Sequence, residues 1–254
     1  MRSAIIAGST TVVTLALSVA CLGGYWHYKV APLMARAELK VMPHAFVPVR
    51  VGEVRKFDLG YATFSLPSSA AGEFYHKAGE PIVVFGSAPK PPYPMAFFCP
   101  VDGNSKQYRE LLNAVATMSG NLPMSWYEYQ KFVLAQQPFT FWDAIRQGLK
   151  ETRLRFVLLA SKMMSVGVAS DVRVFEKNGI GILVFRYPQG GANVMISSLS
   201  AGSFQNVWIG FPDLSVDEIV SALAESYEPK VRDYNSAAIT LQIEQAGITP
   251  AIKQ

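Results

Sequence analysis

The sequence predicts an α+β fold, in which helices pack on an antiparallel β-sheet and a transmembrane helix precedes the domain. Three observations predict it: a charge-free apolar segment at residues 4–26, helical spacing of apolar residues within 105–164, and repeated strand and turn signals within 172–211. Strands grouped apart from helices, without regular βαβ units, are typical of α+β domains. We therefore expect an α-β sandwich behind an N-terminal anchor.

The composition supports one folded domain and argues against several classes of protein. Of the 254 residues, 50% are apolar and 17% are charged, so a sizeable core can form and disorder is not expected. The net charge of +4 is small and dispersed, so we expect no nucleic-acid partner. With two cysteines, one of them inside the apolar segment, the chain has no disulfide framework.

The apolar segment at residues 4–26 is long enough to span a bilayer. A helix rises about 1.5 Å per residue, which covers the roughly 30 Å of hydrocarbon. Tyr25 and Trp26 come at its end, where aromatic rings favour the membrane interface, and Lys29 follows. We therefore predict a membrane anchor at residues 1–29.

The orientation of the body depends on the basic residues that flank this segment. Arg2 and the amino terminus precede it, as in export signals, so we expect the body outside the cytoplasm. The basic residues after the segment, Lys29, Arg36 and Lys40, favour the opposite orientation and keep that alternative open.

Two alternatives to a retained anchor remain. Residues 17–21, Leu-Ser-Val-Ala-Cys, resemble a bacterial lipobox, which implies that Cys21 is acylated and becomes the mature N-terminus. The segment also fits a signal peptide or an organelle presequence that is removed. The retained anchor and the lipid attachment at Cys21 both place the body at a membrane.

A proline-rich connection separates the anchor from the folded body. Pro43 and Pro48 break a short helical stalk, so we assign residues 30–51 to a stalk and linker. The globular α+β domain then covers residues 52–254.

The middle of the domain is predicted to be helical. Ser105 begins a helix whose apolar residues share one face over 108–118. Ser125 begins the next helix with a capping box. Thr140 begins a third helix, whose apolar face continues to Phe156.

Strands are predicted on both sides of these helices. Those before the helices are 57–66, 82–85 and 95–99. After the helices, Asn178-Gly179 is typical of a type I′ hairpin turn, within a four-stranded meander over 172–211. A capping box at Ser215 begins a helix that ends at Pro229, and the remaining tail has no assignment.

In its order of elements, the domain resembles the PsbP-like α-β-α sandwich of several membrane-associated extracytoplasmic proteins. No motif carries this resemblance, so it implies a fold and assigns no functional residue.

The sequence offers one catalytic constellation. Cys99 is the one cysteine outside the N-terminal segment, and His76 as base with Asp102 as orienting group would complete a thiol site. The alternative is that Cys99 is a small buried hydrophobe. Two of the three histidines lie within residues 27–44, so we expect neither a metal site nor a cofactor.

Two features predict binding surfaces. Aromatic residues crowd residues 126–142 more densely than one helix face can bury, which predicts an apolar patch. Its residues are Trp126, Tyr129, Phe132, Phe141 and Trp142. A basic ridge of Arg146, Lys150 and Arg153 follows at helical spacing and suits anionic lipid headgroups. Core packing of the rings and a solvated basic face are the alternatives.

These features predict a single-pass membrane-anchored protein whose extracytoplasmic domain binds a partner or assists the assembly of an envelope complex, without catalysis. Its expected partners are the lipid bilayer and another envelope protein. The alternative is a membrane-tethered hydrolase or transferase with no recognisable motif. A pocket that holds Cys99 with His76 would favour the enzyme, and an exposed aromatic patch would favour the binding protein.

Overall fold

The computed structural model describes most of the chain and divides it into two compact units. Its residues are 17–18, 20–32, 43–76, 79–86, 95–101, 106–120, 124–166, 169–199, 204–210, 215–230 and 236–246. The helical unit comprises Met1–Lys40 and Ala135–Gly167, and the sheet unit comprises Val41–Leu134 and Val168–Gln254. The domain bounds 1–29, 30–51 and 52–254 stay a prediction, because compactness alone does not decide which part folds independently.

The helices and strands are numbered in chain order. The helices are α1 (residues 20–32), α2 (Lys106–Ser119), α3 (Trp126–Leu134), α4 (Phe141–Gln147), α5 (Leu149–Val166), α6 (Val216–Ser226) and α7 (Ser236–Gln245). The strands are β1 (His44–Ala45), β2 (Val54–Asp58), β3 (Ala62–Pro67), β4 (Glu73–His76), β5 (Val83–Gly86), β6 (Met95–Val101), β7 (Asp171–Lys177), β8 (Ile180–Arg186), β9 (Ala192–Ser198), β10 (Phe204–Ile209) and β11 (Glu228–Pro229). This content confirms the predicted α+β class.

The helical unit contains α1, α4 and α5. Helix α1 includes a π-helical turn at Trp26–Val30. Within the part of the chain that the structure describes, no helix combines the length and the apolar character that crossing a membrane requires. Most of the predicted span at residues 4–26, and residues 33–42 of the predicted stalk and linker, lie outside that part, so the anchor stays a prediction.

The sheet unit contains two antiparallel sheets. The larger one has the order β1-β7-β8-β9-β10-β6-β5-β4, in which β1 joins β7 in parallel, and the smaller one has the order β11-β3-β2. The predicted meander is therefore confirmed as β7 to β10. Its first turn has Asn178 and Gly179 at φ 53° and 78°, which are the positive angles of the predicted hairpin turn.

The larger sheet is covered on both faces. One face packs against the smaller sheet and α6, with Phe64 stacked on Phe98 at 4.4 Å between ring centroids. The other face packs against α3, whose Tyr127 ring lies directly over Gly181 of β8. Helix α2 packs on α3. The sheet unit is thus a layered α-β sandwich with its main core between the two sheets.

Three regions of the structure differ from what the sequence predicts. The single strand predicted at 57–66 is a hairpin of β2 and β3, because Gly60 adopts φ 80° and donates its N–H to the Asp58 carboxylate at 2.9 Å. The third helix is two helices, because Gly148 adopts φ 83° and ψ 167° and ends α4. The tail left without assignment contains helix α7.

Candidate functional site

The helical unit contains an apolar groove between α1 and the two helices α4 and α5. Its volume is about 370 Å³. The residues that form most of its wall are Leu22, Tyr25, Trp26, Phe141, Ile145 and Leu149. The Thr152 hydroxyl also lines it but already donates to the carbonyl of Ala144 at 3.0 Å. A groove with this lining suits a hydrocarbon group, which requires no hydrogen bond.

Aromatic packing by Trp26 holds α1 against α4 and α5. Its ring centroid lies 5.5 Å from Phe139, 6.0 Å from Phe141 and 5.5 Å from Phe156, in tilted or edge-to-face geometry. Such pairs add about 0.5–1.5 kcal/mol each beyond the area that they bury. The Arg155 guanidinium lies over the Phe139 ring at 4.6 Å. This cluster is the small apolar core of the helical unit.

A capping box fixes the start of α4. The Asp143 N–H donates to the Thr140 hydroxyl at 3.2 Å, and the Thr140 N–H donates to the Asp143 carboxylate at 2.9 Å. The Thr140 N–H, and next the Thr140 hydroxyl that donates to the same carboxylate at 2.7 Å, hold the pKa of Asp143 below its usual range. The predicted helix start at Thr140 is therefore confirmed.

Large apolar side chains on either side of the break at Gly148 are in contact with water. Trp142 is 61% exposed, Ile145 51% and Leu149 91%. Most of the exposed large apolar side chains among the described residues belong to the helical unit. The others in this unit are Leu17, Leu22, Tyr25, Tyr28, Val157 and Met163. Apolar residues concentrated in this way mark a surface that contacts something other than water.

The predicted basic ridge lies beside these side chains but spans two helices. Arg146 belongs to α4, whereas Lys150 and Arg153 belong to α5, and all three are exposed. The uninterrupted helical spacing expected for the ridge is wrong, because Gly148 separates its first member from the others. Its binding role stays a prediction.

Lys162 is a buried lysine that is not among the site residues predicted from the sequence. It is 5% exposed, and its ammonium group donates to the backbone carbonyl of Gln136 at 2.8 Å. Burial lowers the pKa of Lys162, because the charged form loses hydration. The side chain fastens the segment before α4 to α5, at the cost of burying a charge.

Replacing Lys162 with methionine is expected to stabilise the protein at neutral pH. Because the native pKa lies below the ordinary 10.5, the unfolded chain binds more protons between the two values, and wild-type stability rises with pH across that interval. The advantage of Lys162→Met should therefore shrink as pH approaches 10.5. Urea unfolding midpoints measured from pH 7 upward check this result. Lys150→Met, at an exposed position of the same helix, is the control; an advantage that is independent of pH would contradict the prediction.

The predicted aromatic patch is divided between the two units. Trp126, Tyr129 and Phe132 belong to α3 in the sheet unit, where Trp126 and Tyr129 are buried and Phe132 is half-buried. Phe141 lines the apolar groove, and Trp142 is exposed, both in the helical unit. The core-packing alternative thus describes Trp126 and Tyr129, whereas the binding role of Phe141 and Trp142 stays a prediction.

The structure does not bring Cys99 and His76 together. His76 pairs with Val83, which pairs with Phe98, so these three side chains share the core face of the sheet. Cys99 follows Phe98 and therefore projects to the opposite face. Burial also raises the pKa of Cys99, which reduces the thiolate fraction that a nucleophile needs. Asp102 lies outside the described residues.

The sheet unit holds polar clusters that serve its own packing. Arg186 and Arg173 both pair with Asp217 at the start of α6, and Arg173 also pairs with Asp171 at 2.7 Å. A separate cavity of about 400 Å³ is lined mainly by polar residues. Two of them, Lys230 and Asp58, form an ion pair at 2.6 Å. Among the residues that the structure describes, no three His, Cys, Asp or Glu side chains cluster as metal ligands would.

Sequence reasoning missed the contribution of α1 to the groove. The residue that could have indicated this contribution is Trp26, whose position in the sequence predicts only a membrane interface. Its contacts with Phe139 and Phe156 join residues more than 110 positions apart, and no local pattern announces such a pair. The helical unit was therefore not predictable as a unit.

Comparison with known proteins gives no match to a protein-family model, to a curated protein or to a solved structure. The resemblance to the PsbP-like sandwich thus rests on element order alone, and the functional argument rests on the chain's own residues.

Proposed function

We propose that the protein is a single-pass membrane protein, anchored by residues 4–26, whose globular α+β domain at residues 52–254 lies outside the cytoplasm. There it binds another envelope protein or assists the assembly of an envelope complex, without catalysing a reaction. The observation that carries this proposal is the concentration of exposed apolar side chains in the helical unit, which also contains the anchor segment.

The chemistry of the N-terminal segment supports the anchor. Residues 4–26 carry no charge; Trp26 ends this segment and Lys29 follows it, at the position expected for a membrane interface. A diacylated Cys21 remains the alternative tether. Both attach the same helical unit to the same membrane surface.

The geometry of the sheet unit supports binding over catalysis at the thiol. His76 and Cys99 project to opposite faces of the larger sheet, so the base and the nucleophile of the enzymatic alternative do not meet. A tethered hydrolase or transferase would have to use other residues.

Cell fractionation with protease protection tests the proposal. We expect the chain in the membrane pellet after alkaline carbonate extraction, with the sheet unit digested only by protease added on the extracytoplasmic side. The intact mass should include residues 1–21. A mass that begins at a diacylated Cys21 would replace the span with a lipid tether, and a soluble chain that begins after residue 21 would contradict the anchor.

The binding role needs a second measurement. After mild solubilisation, native electrophoresis should show the chain in a complex larger than the 27.8 kDa monomer, together with a second protein. A purified chain that by itself hydrolyses a substrate or transfers a group would instead favour the enzymatic alternative.

A further inference from the structure

Resting on the proposed anchor, we infer that α4 and the first two turns of α5 lie in the headgroup region of an anionic phospholipid leaflet. In this arrangement the apolar groove takes a lipid acyl chain, and Arg146, Lys150 and Arg153 pair with lipid phosphates. The inference names the ligand of the helical unit, which the proposed function leaves open.

The depth of α4 follows from its contacts with α1. Trp26 ends the charge-free segment, so a span at residues 4–26 holds this ring at the membrane–water interface. The ring centroids of Phe141 and Phe156 lie 6.0 Å and 5.5 Å from that of Trp26, so the start of α4 and the middle of α5 lie close to the same depth. An acylated Cys21 gives the same result, since Tyr25 then stands about 6 Å along the helix from the lipid.

The exposed side chains of α4 and α5 match this environment. Trp142 is the residue type that favours the headgroup region, and Ile145 and Leu149 extend from the groove into solvent. Placing these side chains among acyl chains removes apolar surface from water. The groove is open along Tyr25 and Leu149, both largely exposed, which gives a hydrocarbon chain access from outside.

Charge complementarity favours an anionic leaflet as the occupant. Arg146 and Lys150 directly follow Ile145 and Leu149 in the chain, so cationic groups border the apolar surface. Lys and Arg next to apolar side chains are typical of helices that lie on anionic membranes. A second copy of the chain is a poorer occupant, because α4 and α5 carry more basic than acidic residues and a two-fold interface would bring this positive excess close to its own copy.

Fluorescence quenching by brominated lipid tests this inference on the full chain. The chain is reconstituted into phosphatidylcholine vesicles with and without phosphatidylglycerol, each containing dibrominated phosphatidylcholine. The signal of Trp142 is the difference between the wild-type chain and Trp142→Phe. We expect this signal to be quenched, and more strongly in the vesicles that contain phosphatidylglycerol.

Charge variants test the role of the basic ridge. The combined substitutions Arg146→Gln, Lys150→Gln and Arg153→Gln should reduce Trp142 quenching in anionic vesicles by about twofold or more. The matched control removes three exposed cations of the sheet unit, Arg50→Gln, Lys56→Gln and Lys177→Gln, and should leave the quenching unchanged. Circular dichroism verifies that every variant is folded.

Flotation of the vesicles after carbonate extraction separates this inference from the proposed anchor. A chain that floats while Trp142 remains unquenched overturns the inference and leaves the anchor intact. A chain that carbonate removes, but whose Trp142 is quenched in a salt-sensitive manner beforehand, supports the inference and contradicts the anchor. Unquenched Trp142 together with cross-links between copies through position 149 would mean that a second copy covers the surface, which also overturns the inference.

Discussion

Replacing Gly181 with alanine is expected to destabilise the sheet unit by about 3 kcal/mol, near the upper end of the usual cost of overpacking. A Cβ atom built on Gly181 would stand closer than 3.0 Å to the Tyr127 ring, a separation that real side chains do not show. The ring is itself buried between α3 and the larger sheet, so it has no open space to move into. Either the helix or strand β8 must shift, and packed interiors resist such shifts.

Urea denaturation of the purified chain measures this effect. The control is Gly52→Ala, because no atom lies within 4 Å of a Cβ at that position and its φ is not positive. In the double variant with Tyr127→Ala, the cost of Gly181→Ala should largely disappear, since the ring that collides is gone. Equal costs for Gly181→Ala in both backgrounds would show that the Tyr127 ring is not the obstacle.

Replacing Phe64 with alanine is expected to cost about 4 kcal/mol, the typical cost of removing a buried aromatic ring. Phe64 is 1% exposed and lies in the smaller sheet, where its ring is stacked on Phe98 of the larger sheet. It also contacts Phe57 and Phe85. Its removal leaves a cavity at the point where the two sheets meet.

The unfolding midpoint of Phe64→Ala should fall well below that of Val54→Ala. Val54 lies in the same small sheet but is exposed, so its truncation removes little buried surface. Phe98→Ala should cost about as much as Phe64→Ala, and the double variant less than their sum, because the two rings share one contact. Additive costs would contradict a common ring cluster.

Elements with a strong local signal were predictable from the sequence. A type I′ turn requires two positive φ angles, which Asn178 and Gly179 adopt readily. This pair therefore predicts its hairpin without reference to the rest of the chain. Ser125 and Ser215 each accept the N–H three residues ahead, as the capping boxes predicted. These signals fixed the meander and the helices α3 and α6.

Glycine positions show where local reasoning stopped. The sequence pattern predicts Gly60 inside a strand and Gly148 inside a helix, because glycine is tolerated in both at modest cost. Their positive φ angles depend on what the chain packs against on either side. A hairpin and a helix break were therefore missed.

The predicted thiol site does not form, because His76 and Cys99 project from opposite faces of the larger sheet. Strand pairing decides which residues share a face, and a one-residue offset reverses the face. His76 and Cys99 are separated by strand β5, whose register the sequence does not reveal. The groove was missed for a similar reason, since it requires α1 to meet α4 across more than a hundred residues.

Because the chain is divided into two units that are not continuous in sequence, the predicted stalk is one of several connections between them. The chain passes between the units three times, after Lys40, after Leu134 and after Gly167. A single protease cut within residues 33–42 would leave two peptide connections between the sheet unit and α4–α5. If α4–α5 are attached to a membrane as proposed, release of the sheet unit would require all three connections to be cut, so a single cut would not shed it.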